Sequence, residues 1–221
     1  MQEQEGVIKF QLRFTEGHAP KAEQTIQLSA WRKLCYLTKL IGQEPERYEG
    51  YGFGNISERI GRGEEAHQRP FLISGTQTGF LESLEPHHYA FVRECYPEKN
   101  LVIADGPLKP SSESMTHGTL YALDERIRFV IHVHSPDLWQ NAPVLNIPTT
   151  AADVPYGTPA MGAEVARLFA ETDVREQGIF SMGGHEDGIV TFGETAEAAG
   201  SVLFTYLAQA WQVAALTQRA V

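Results

Sequence analysis

The stretch that decides the fold covers residues 110–134 and reads PSSESMTHGTLYALDERIRFVIHVH. Serines after Pro110 signal the start of a helix, because a serine hydroxyl can accept a hydrogen bond from a first-turn N–H group. We predict this helix from about Ser112 to Leu123. The residues from Arg128 to His134 alternate large apolar side chains with others and are rich in β-branched types, which predicts a strand. The unit is therefore a helix followed directly by a strand.

Two histidines stand two positions apart on the predicted strand. Alternate strand residues share one face, so His132 and His134 should project together. Paired imidazoles suit a divalent metal, which needs a third ligand and, in a catalytic site, an open position. His185 follows two glycines, which provide little apolar packing for it, so it is the candidate third ligand. The plainer alternative is that His132 and His134 are half-buried strand residues with hydrogen-bonded rings, which is common for an isolated pair.

The start of the predicted helix also favours a bound anion. Its exposed N–H groups and positive dipole end attract negative charge, and phosphate is the commonest biological anion at such a position. Two other segments offer polar groups or free backbone N–H groups. Ser74 and Gly75 open a loop after a short apolar strand, and Asn55 lies in a glycine-rich stretch. Each of these two segments, taken alone, is equally compatible with a plain turn or connection.

Length and composition indicate a soluble globular protein. The 221 residues can bury one substantial core and contain no obvious linker, so we expect a single domain over 1–221. The net charge of −10 argues against a general nucleic-acid binder. No apolar run approaches the roughly 20 residues of a membrane span, and the acidic residues 1–5 do not resemble a secretory signal. We therefore expect a cytoplasmic protein with a small-molecule partner and neither nucleic-acid nor membrane partners.

The rest of the chain alternates between strand and helix patterns. A hairpin is predicted from Tyr89–Val92 and Leu101–Ala104, around a proline-containing turn. Cys35 and Cys95 show neither metal nor redox spacing and are interpreted as packing residues. Four helices interleaved with hairpin and crossover connections predict a mixed sheet covered by helices. Further strands are predicted at about 7–14, 71–73, 178–182 and 189–192, and further helices at about 22–41, 160–169 and 195–219.

Five short motifs follow one another along the chain. They are Gly54-Asn55-Ile56-Ser57, Ser74-Gly75-Thr76, Pro110-Ser111-Ser112-Glu113, His132-Val133-His134 and His185. Each motif is weak alone, but their order and spacing along roughly Leu28 to Thr205 resemble the class II aldolase/adducin family. The resemblance implies a three-layer α/β/α sandwich with a central mixed, largely antiparallel sheet, and a homotetramer. The strand at about 7–14 is an addition to that pattern.

The resemblance also implies roles for individual residues. His132, His134 and His185 correspond to the family's metal ligands, and Glu113 corresponds to its acid/base carboxylate. Imidazole-rich sites accept several metals, so zinc is expected from the family, with Co, Ni, Fe or Mn as alternatives. The positions that hold a substrate phosphate in the family's sugar-phosphate enzymes correspond to Asn55, Ser74, Gly75, Ser111 and Ser112.

These roles imply a metal-dependent lyase of the aldolase type. It would cleave or form a carbon–carbon bond in a small hydroxy-carbonyl compound, such as a sugar phosphate, through a metal-stabilised enediolate. A dehydratase or decarboxylase on the same fold is the nearest alternative, whereas epimerases of the family carry Asp at the position of Glu113. The sequence departs from many of the family's aldolases at Glu186 and Asp187, which separate the third ligand from the next glycine.

Two alternatives belong to other classes of protein. One is a non-catalytic scaffold like the adducin head domain, which keeps the fold without the metal histidines. The other is a cupin, since those barrels also use a His-x-His pair. A cupin needs a further ligand a few residues later, where this sequence offers only Asp137 beside Pro136. We expect the three imidazoles to converge if the metal-site prediction holds.

Overall fold

The computed structural model describes residues 6–219, except for the side chains of 217–219. Residues 1–5, which form the predicted acidic start, and residues 220–221 of the predicted domain lie outside this range. The strands are β1 (Gln11–Glu16), β2 (Gly42–Gln43), β3 (Gly52–Phe53), β4 (Asn55–Arg59), β5 (Phe71–Ser74), β6 (Tyr89–Tyr96), β7 (Leu101–Gly106), β8 (Phe129–His134), β9 (Ile179–Ser181) and β10 (Gly188–Gly193). The α-helices are α1 (Ala22–Leu37), α2 (Ser114–Leu123), α3 (Pro136–Asn141), α4 (Pro159–Glu171), α5 (Val174–Gln177) and α6 (Ala196–Arg219).

Eight strands form one mixed sheet in the order β1-β7-β6-β5-β4-β8-β10-β9, and β2 pairs with β3 separately. The β1–β7 pair is parallel, and the other neighbouring pairs of the large sheet are antiparallel. The predicted mixed, largely antiparallel sheet is therefore confirmed. Strand β8 lies between β4 and β10, with Asn55 opposite His132 and Gly188 opposite His134.

Helices cover both faces of the large sheet and give the predicted three layers. Helices α2 and α4 pack on one face, where Val130 of β8 joins their apolar side chains. Helices α1, α3 and α6 pack on the other face, where Phe129, Ile131 and Val133 of β8 are buried. Because strand residues alternate, His132 and His134 lie on the same side as Val130 and α2. Each large apolar side chain buried in these layers contributes roughly 1.5–3 kcal/mol.

Several predicted element boundaries differ from the structure. The N-terminal strand occupies Gln11–Glu16 rather than about 7–14, because its register is set by parallel pairing with Leu101–Gly106 of β7. Helix α1 ends at Leu37, and Lys39 adopts a left-handed conformation with φ of 59°. Within residues 6–219 there are six α-helices rather than four, since α3 and α5 are too short to show a clear periodicity.

Both cysteines are buried and unbonded to each other, as their interpretation as packing residues predicts. Cys35 lies on the α1 side of the sheet, and Cys95 lies on the α2 side. Burial raises the pKa of each thiol to about 12. They therefore remain protonated near neutral pH. Among the described helices, none combines the length and apolar character needed to cross a lipid bilayer.

Candidate metal centre

Three imidazoles meet near the end of β8, the sixth strand of the eight-stranded sheet. His132 and His134 come from β8, and His185 comes from the turn between β9 and β10. One ring nitrogen of each lies within 4.8 Å of the other two, and all three side chains are buried. The expected convergence of two residues on one strand with a third from a distant glycine turn is therefore present.

The hydrogen bonding of His132 orients one nitrogen towards the cluster. Its Nδ1 lies 3.1 Å from the carbonyl oxygen of Ile189, so Nδ1 carries the proton and donates. Nε2 then carries the lone pair, and it is buried without a hydrogen-bond partner among the described residues. A backbone carbonyl on one imidazole nitrogen is the usual arrangement when the other nitrogen binds a metal.

Burial keeps the two strand histidines neutral. It lowers the pKa of His132 to about 4, an effect that the Glu113 carboxylate opposes only in part. Burial also holds the pKa of His134 well below its usual value, and His185, His132 and Arg47 act in the same direction. Neutral imidazole is the form that binds metal ions. No deprotonation is therefore needed at these two side chains near neutral pH.

Close backbone packing explains the glycines around His185. The His185 N–H donates to the Met182 carbonyl at 3.1 Å, and the His185 carbonyl accepts from the Gly188 N–H at 2.9 Å. A Cβ atom at Gly188 would lie 2.7 Å from Cδ2 of His185, and one at Gly184 would lie 2.2 Å from the Val154 carbonyl oxygen. Both positions therefore require glycine if the turn is to hold the imidazole at the sheet edge.

Glu113 places a carboxylate among the imidazoles. Its Oε1 lies 3.3 Å from Nε2 of His132 and 3.2 Å from Nε2 of His185, and the side chain is 1% exposed. Burial acts to raise the pKa of Glu113, but His132, His185 and His117 outweigh it and lower the pKa to about 2. The carboxylate is therefore ionised at neutral pH, in a position where it can accept or return a proton.

The helix start differs from the prediction at this point. Helix α2 begins at Ser114, and Glu113 occupies its N-cap position without capping the helix through its side chain. The Ser111 carbonyl accepts from the Ser114 N–H at 3.1 Å, and Ser111 Oγ accepts from the Glu113 N–H at 3.3 Å. The serines thus form a turn before the helix. This turn leaves the Glu113 carboxylate directed at the imidazoles instead of at the helix N–H groups.

The donor set fits a divalent cation. Three imidazole nitrogens and one carboxylate lie close together and are buried. When the imidazoles are neutral, the carboxylate of Glu113 carries the single negative charge of this set. Zinc binds imidazole nitrogen at roughly 2.0–2.1 Å, so a shared ion would draw the three rings slightly closer together. A cation in this position would also keep the Glu113 carboxylate ionised, because opposite charges favour the charged form.

Four of the five predicted anion-binding positions line a small cavity, and one of them, Asn55, lies opposite His132 in the sheet. Ser74 does not line it, because Ser74 is buried and its Oγ accepts from the Ile56 N–H at 3.1 Å. Oδ1 of Asn55 is buried without a hydrogen-bond partner among the described residues. Four of the five predicted positions are therefore brought together. The cavity is lined by Gly6, Gly52, Gly54, Asn55, Gly75, Thr76, Gln77, Thr78, Gly79, Ser111 and Ser112.

Two tyrosines that the sequence motifs did not indicate contact the imidazoles. The ring centre of Tyr48 lies 4.6 Å from that of His134, and the Tyr48 hydroxyl donates to Oδ2 of Asp187 at 2.6 Å. The ring centre of Tyr156 lies 4.5 Å from that of His185. The acidic Asp187, noted as a departure from the family pattern, was the only sequence signal for this contact network. It anchors Tyr48 against His134.

A second polar group lies behind Glu113. Nδ1 of His117 is 2.6 Å from Oγ of Ser57, and that hydroxyl is 2.7 Å from the hydroxyl of Tyr121. Burial lowers the pKa of His117 to about 3, although the Glu113 carboxylate acts to raise it. His117 is therefore a neutral, hydrogen-bonded residue of the interior.

Comparisons with known proteins agree with the fold. The sequence matches the family described as Class II Aldolase and Adducin N-terminal domain over residues 32–213, and the chain belongs to that family. No curated protein matches the sequence. The match covers the candidate metal centre but begins after the N-terminal strand β1.

Solved structures share the fold at low sequence identity. L-fuculose-1-phosphate aldolase from Thermus thermophilus superposes with a TM-score of 0.63 at 18% identity, covering 90% of this chain and 96% of its own. YgbL from Escherichia coli, whose description offers aldolase, epimerase and decarboxylase as candidate activities, gives a TM-score of 0.63 at 18% identity, covering 89% of this chain and 91% of its own. A sugar-phosphate aldolase from Thermotoga maritima gives 0.57 at 16% identity, covering 88% and 96%.

Proposed function

We propose that this protein is a metal-dependent lyase of the aldolase type that acts on a small phosphorylated hydroxy-carbonyl compound. The observation that carries the proposal is the position of Glu113, whose buried carboxylate contacts two of three converged imidazoles. Family membership supports an aldolase-like activity in general. We further propose that the whole chain forms one catalytic domain.

The residues divide the chemistry between them. His132, His134 and His185 would hold the metal, with zinc as the proposed ion and Co, Ni, Fe or Mn as alternatives. When bound, the cation would supply Lewis-acid stabilisation of negative charge that develops on substrate oxygens. In the cleavage direction, the carboxylate of Glu113 would take the proton from the substrate hydroxyl, and the electron pair of the broken carbon–carbon bond would move to the carbon beside the carbonyl. We assign to Glu113 the return of that same proton to this carbon.

The anion-binding positions would orient the substrate. Asn55, Gly75, Ser111 and Ser112 line one cavity and offer hydroxyl, amide and backbone N–H donors for a phosphate. Ser74 would act indirectly, since its hydroxyl connects β4 to β5 through the Ile56 N–H. A phosphate held in this cavity would fix the distance between the reacting carbon and Glu113, as orientation of a substrate requires.

Product analysis tests the reaction type. Zinc-loaded protein would be incubated with a panel of phosphorylated hydroxy-carbonyl compounds, and we expect two carbonyl fragments from at least one of them. A single product that has lost water would indicate a dehydratase, and release of carbon dioxide would indicate a decarboxylase. If no phosphorylated member of the panel reacts, the proposed substrate class is wrong.

Metal analysis separates the enzyme from a non-catalytic scaffold. Elemental analysis of the purified protein should find about one divalent ion per chain, and replacement of His132 by Ala should abolish it. This expectation follows because Nε2 of His132 is directed into the cluster. Protein that contains no metal and takes none up would support the adducin-like scaffold.

We also propose that the protein is a cytoplasmic homotetramer. Exposed apolar side chains on α1 support self-association, with Ile26, Leu34 and Leu37 exposed by 66%, 46% and 61%. Clustered apolar surface of this kind commonly marks a contact with another chain. Light scattering coupled to size-exclusion chromatography would measure the mass, and a single species at the mass of one chain would contradict the proposal.

A further inference from the structure

The N-terminal segment, residues 6–10, lies beside the candidate metal centre. The Val7 N–H donates to the hydroxyl oxygen of Tyr156 at 3.0 Å, and that hydroxyl lies 3.4 Å from the Val7 carbonyl oxygen. Tyr156 is fully buried, and its ring is the one that contacts His185. One tyrosine therefore connects this segment, which precedes the family match, to an imidazole of the cluster.

Lys9 brings a positive charge to the same ring. Its Nζ lies 3.5 Å from the centre of the Tyr156 ring, which is a cation–π contact. Burial lowers the pKa of Lys9 to about 8, and the Glu113 carboxylate acts in the opposite direction. The ammonium group therefore interacts electrostatically with the carboxylate at the centre of the site. With this pKa, Lys9 remains largely protonated at pH 7.

Among the described residues, none that lines the small cavity has a positive side chain. Its lining residues are glycine, serine, threonine, asparagine and glutamine, and Gly6 of the N-terminal segment is one of them. Neutral donors can orient a phosphate, but charge-assisted hydrogen bonds to an ammonium or guanidinium group are roughly twice as strong. The segment thus borders the cavity at Gly6 and places the Lys9 charge near Glu113. A substrate that extends from the cavity to Glu113 would pass this charge.

We propose that the N-terminal segment is a wall of the substrate site and that Lys9 binds the phosphate of the substrate. This inference rests on the proposed function, since it assumes a phosphorylated substrate at the imidazole cluster. It assigns a role to the part of the chain that precedes the family match. Lys9 is then a substrate-binding residue. The hydrogen bonds between the Val7 backbone and the Tyr156 hydroxyl hold Lys9 in position.

Binding of inorganic phosphate tests the inference. Calorimetry at pH 7 would compare the full-length, zinc-incubated protein with Lys9→Met, Lys9→Arg and Lys99→Met. Lys99 is the matched control, because its Nζ lies 4.4 Å from the ring centre of Tyr96, outside the site. We expect Lys9→Met to weaken phosphate binding about tenfold, the loss typical of one charge-assisted hydrogen bond. Lys9→Arg should retain binding within about threefold, and Lys99→Met should match the wild type.

The alternative outcomes separate this inference from the proposed function. Equal phosphate affinity in wild type and Lys9→Met, no phosphate binding by the wild type, or equal losses in Lys9→Met and Lys9→Arg would each overturn it. Zinc content is measured on the same samples. It should not change when Lys9 is replaced, because the three converged imidazoles do not include Lys9. Protein without zinc would contradict the proposed function itself, whereas normal zinc content with Lys9-independent phosphate binding would contradict only the role of Lys9.

Discussion

Glu113 can be changed without altering the shape of the interior. Replacement by Gln keeps the size of the side chain but removes the charge and the ability to carry a proton between substrate atoms. Because a positioned acid/base group contributes about 10²- to 10⁴-fold to a rate, we expect kcat to fall by at least about 100-fold. Steady-state kinetics on the best substrate of the panel, with zinc content measured in parallel, would check this.

A matched control for this variant lies in the turn that carries His185. Glu186 is exposed, so Glu186→Gln removes the same charge outside the buried cluster. Its kcat should stay within about twofold of the wild type. Near-normal turnover by the Glu113→Gln protein would show that another group transfers the proton.

The lowered pKa of His117 predicts how the stability of the protein depends on pH. Its pKa is about 3 in the folded protein and about 6.5 when unfolded, so the unfolded chain binds the proton first on acidification. Stability therefore falls as the pH drops below about 6.5. Protonation of this one residue in the unfolded chain should lower the free energy of unfolding by about 2 kcal/mol between pH 7 and pH 5. Urea unfolding at both pH values, in the presence of a chelator, should show a loss that is smaller by about that amount in His117→Gln.

The wild-type protein, unfolded in urea at the same two pH values, provides the comparison for that measurement. Glu113, with a pKa of about 2, titrates below this pH window and does not interfere. An unchanged pH dependence in His117→Gln would mean that His117 is protonated at pH 5 in the folded protein.

Among the secondary-structure elements, the β9–β10 turn depends on the small size of Gly188. Gly188→Ala would place a Cβ atom 2.7 Å from Cδ2 of His185 and 3.0 Å from its carbonyl oxygen. The imidazole must then move out of the cluster, and we expect zinc affinity to fall at least about tenfold. Competition with a chromophoric chelator would measure the affinity. Gly17→Ala is the control, because its nearest neighbour would be 3.4 Å away, an ordinary contact.

The elements that the sequence predicted well are those with strong local patterns. The alternation that ends in His132 and His134 placed β8 within one residue, and the turn after Tyr96 placed the β6–β7 hairpin. The convergence of His185 with these histidines was expected from the family resemblance and the glycines around it. Periodicity alone could not supply it, because periodicity describes neighbours along the chain and not contacts across it.

The parts of the site that escaped prediction are set by tertiary contacts. Tyr48 reaches His134 from a segment with left-handed residues, where φ is 47° at Tyr48 itself. Lys9 reaches Tyr156 because β1 begins only at Gln11, which leaves the preceding residues to run past the site. Neither segment has a motif that marks it. Ser74 shows the opposite case, since its motif suggested an anion contact and the structure uses its hydroxyl to join two strands.

For the whole molecule, a bound metal should couple distant parts of the chain. A shared ion would join β8 to the β9–β10 turn, and its complete ligand set exists only in the folded state. Binding only to the folded state stabilises by about 4 kcal/mol when free metal is about 1,000 times its dissociation constant. For a chain of this size, that gain raises the melting temperature by roughly 10 °C. We expect this difference between zinc-loaded and chelator-treated wild type in calorimetric melting.

The His185→Ala protein should lose most of this zinc-induced rise in melting temperature, because the ion then no longer connects the β9–β10 turn to β8. The matched variant is His67→Ala, whose histidine pairs with Glu65 away from the cluster and should leave the zinc effect intact. The chelator-treated proteins also compare directly, because a defect in His185→Ala that persists without metal would reflect lost packing against Tyr156 instead of lost coordination. Equal zinc-induced shifts in the wild type and His185→Ala would place the ion elsewhere in the protein.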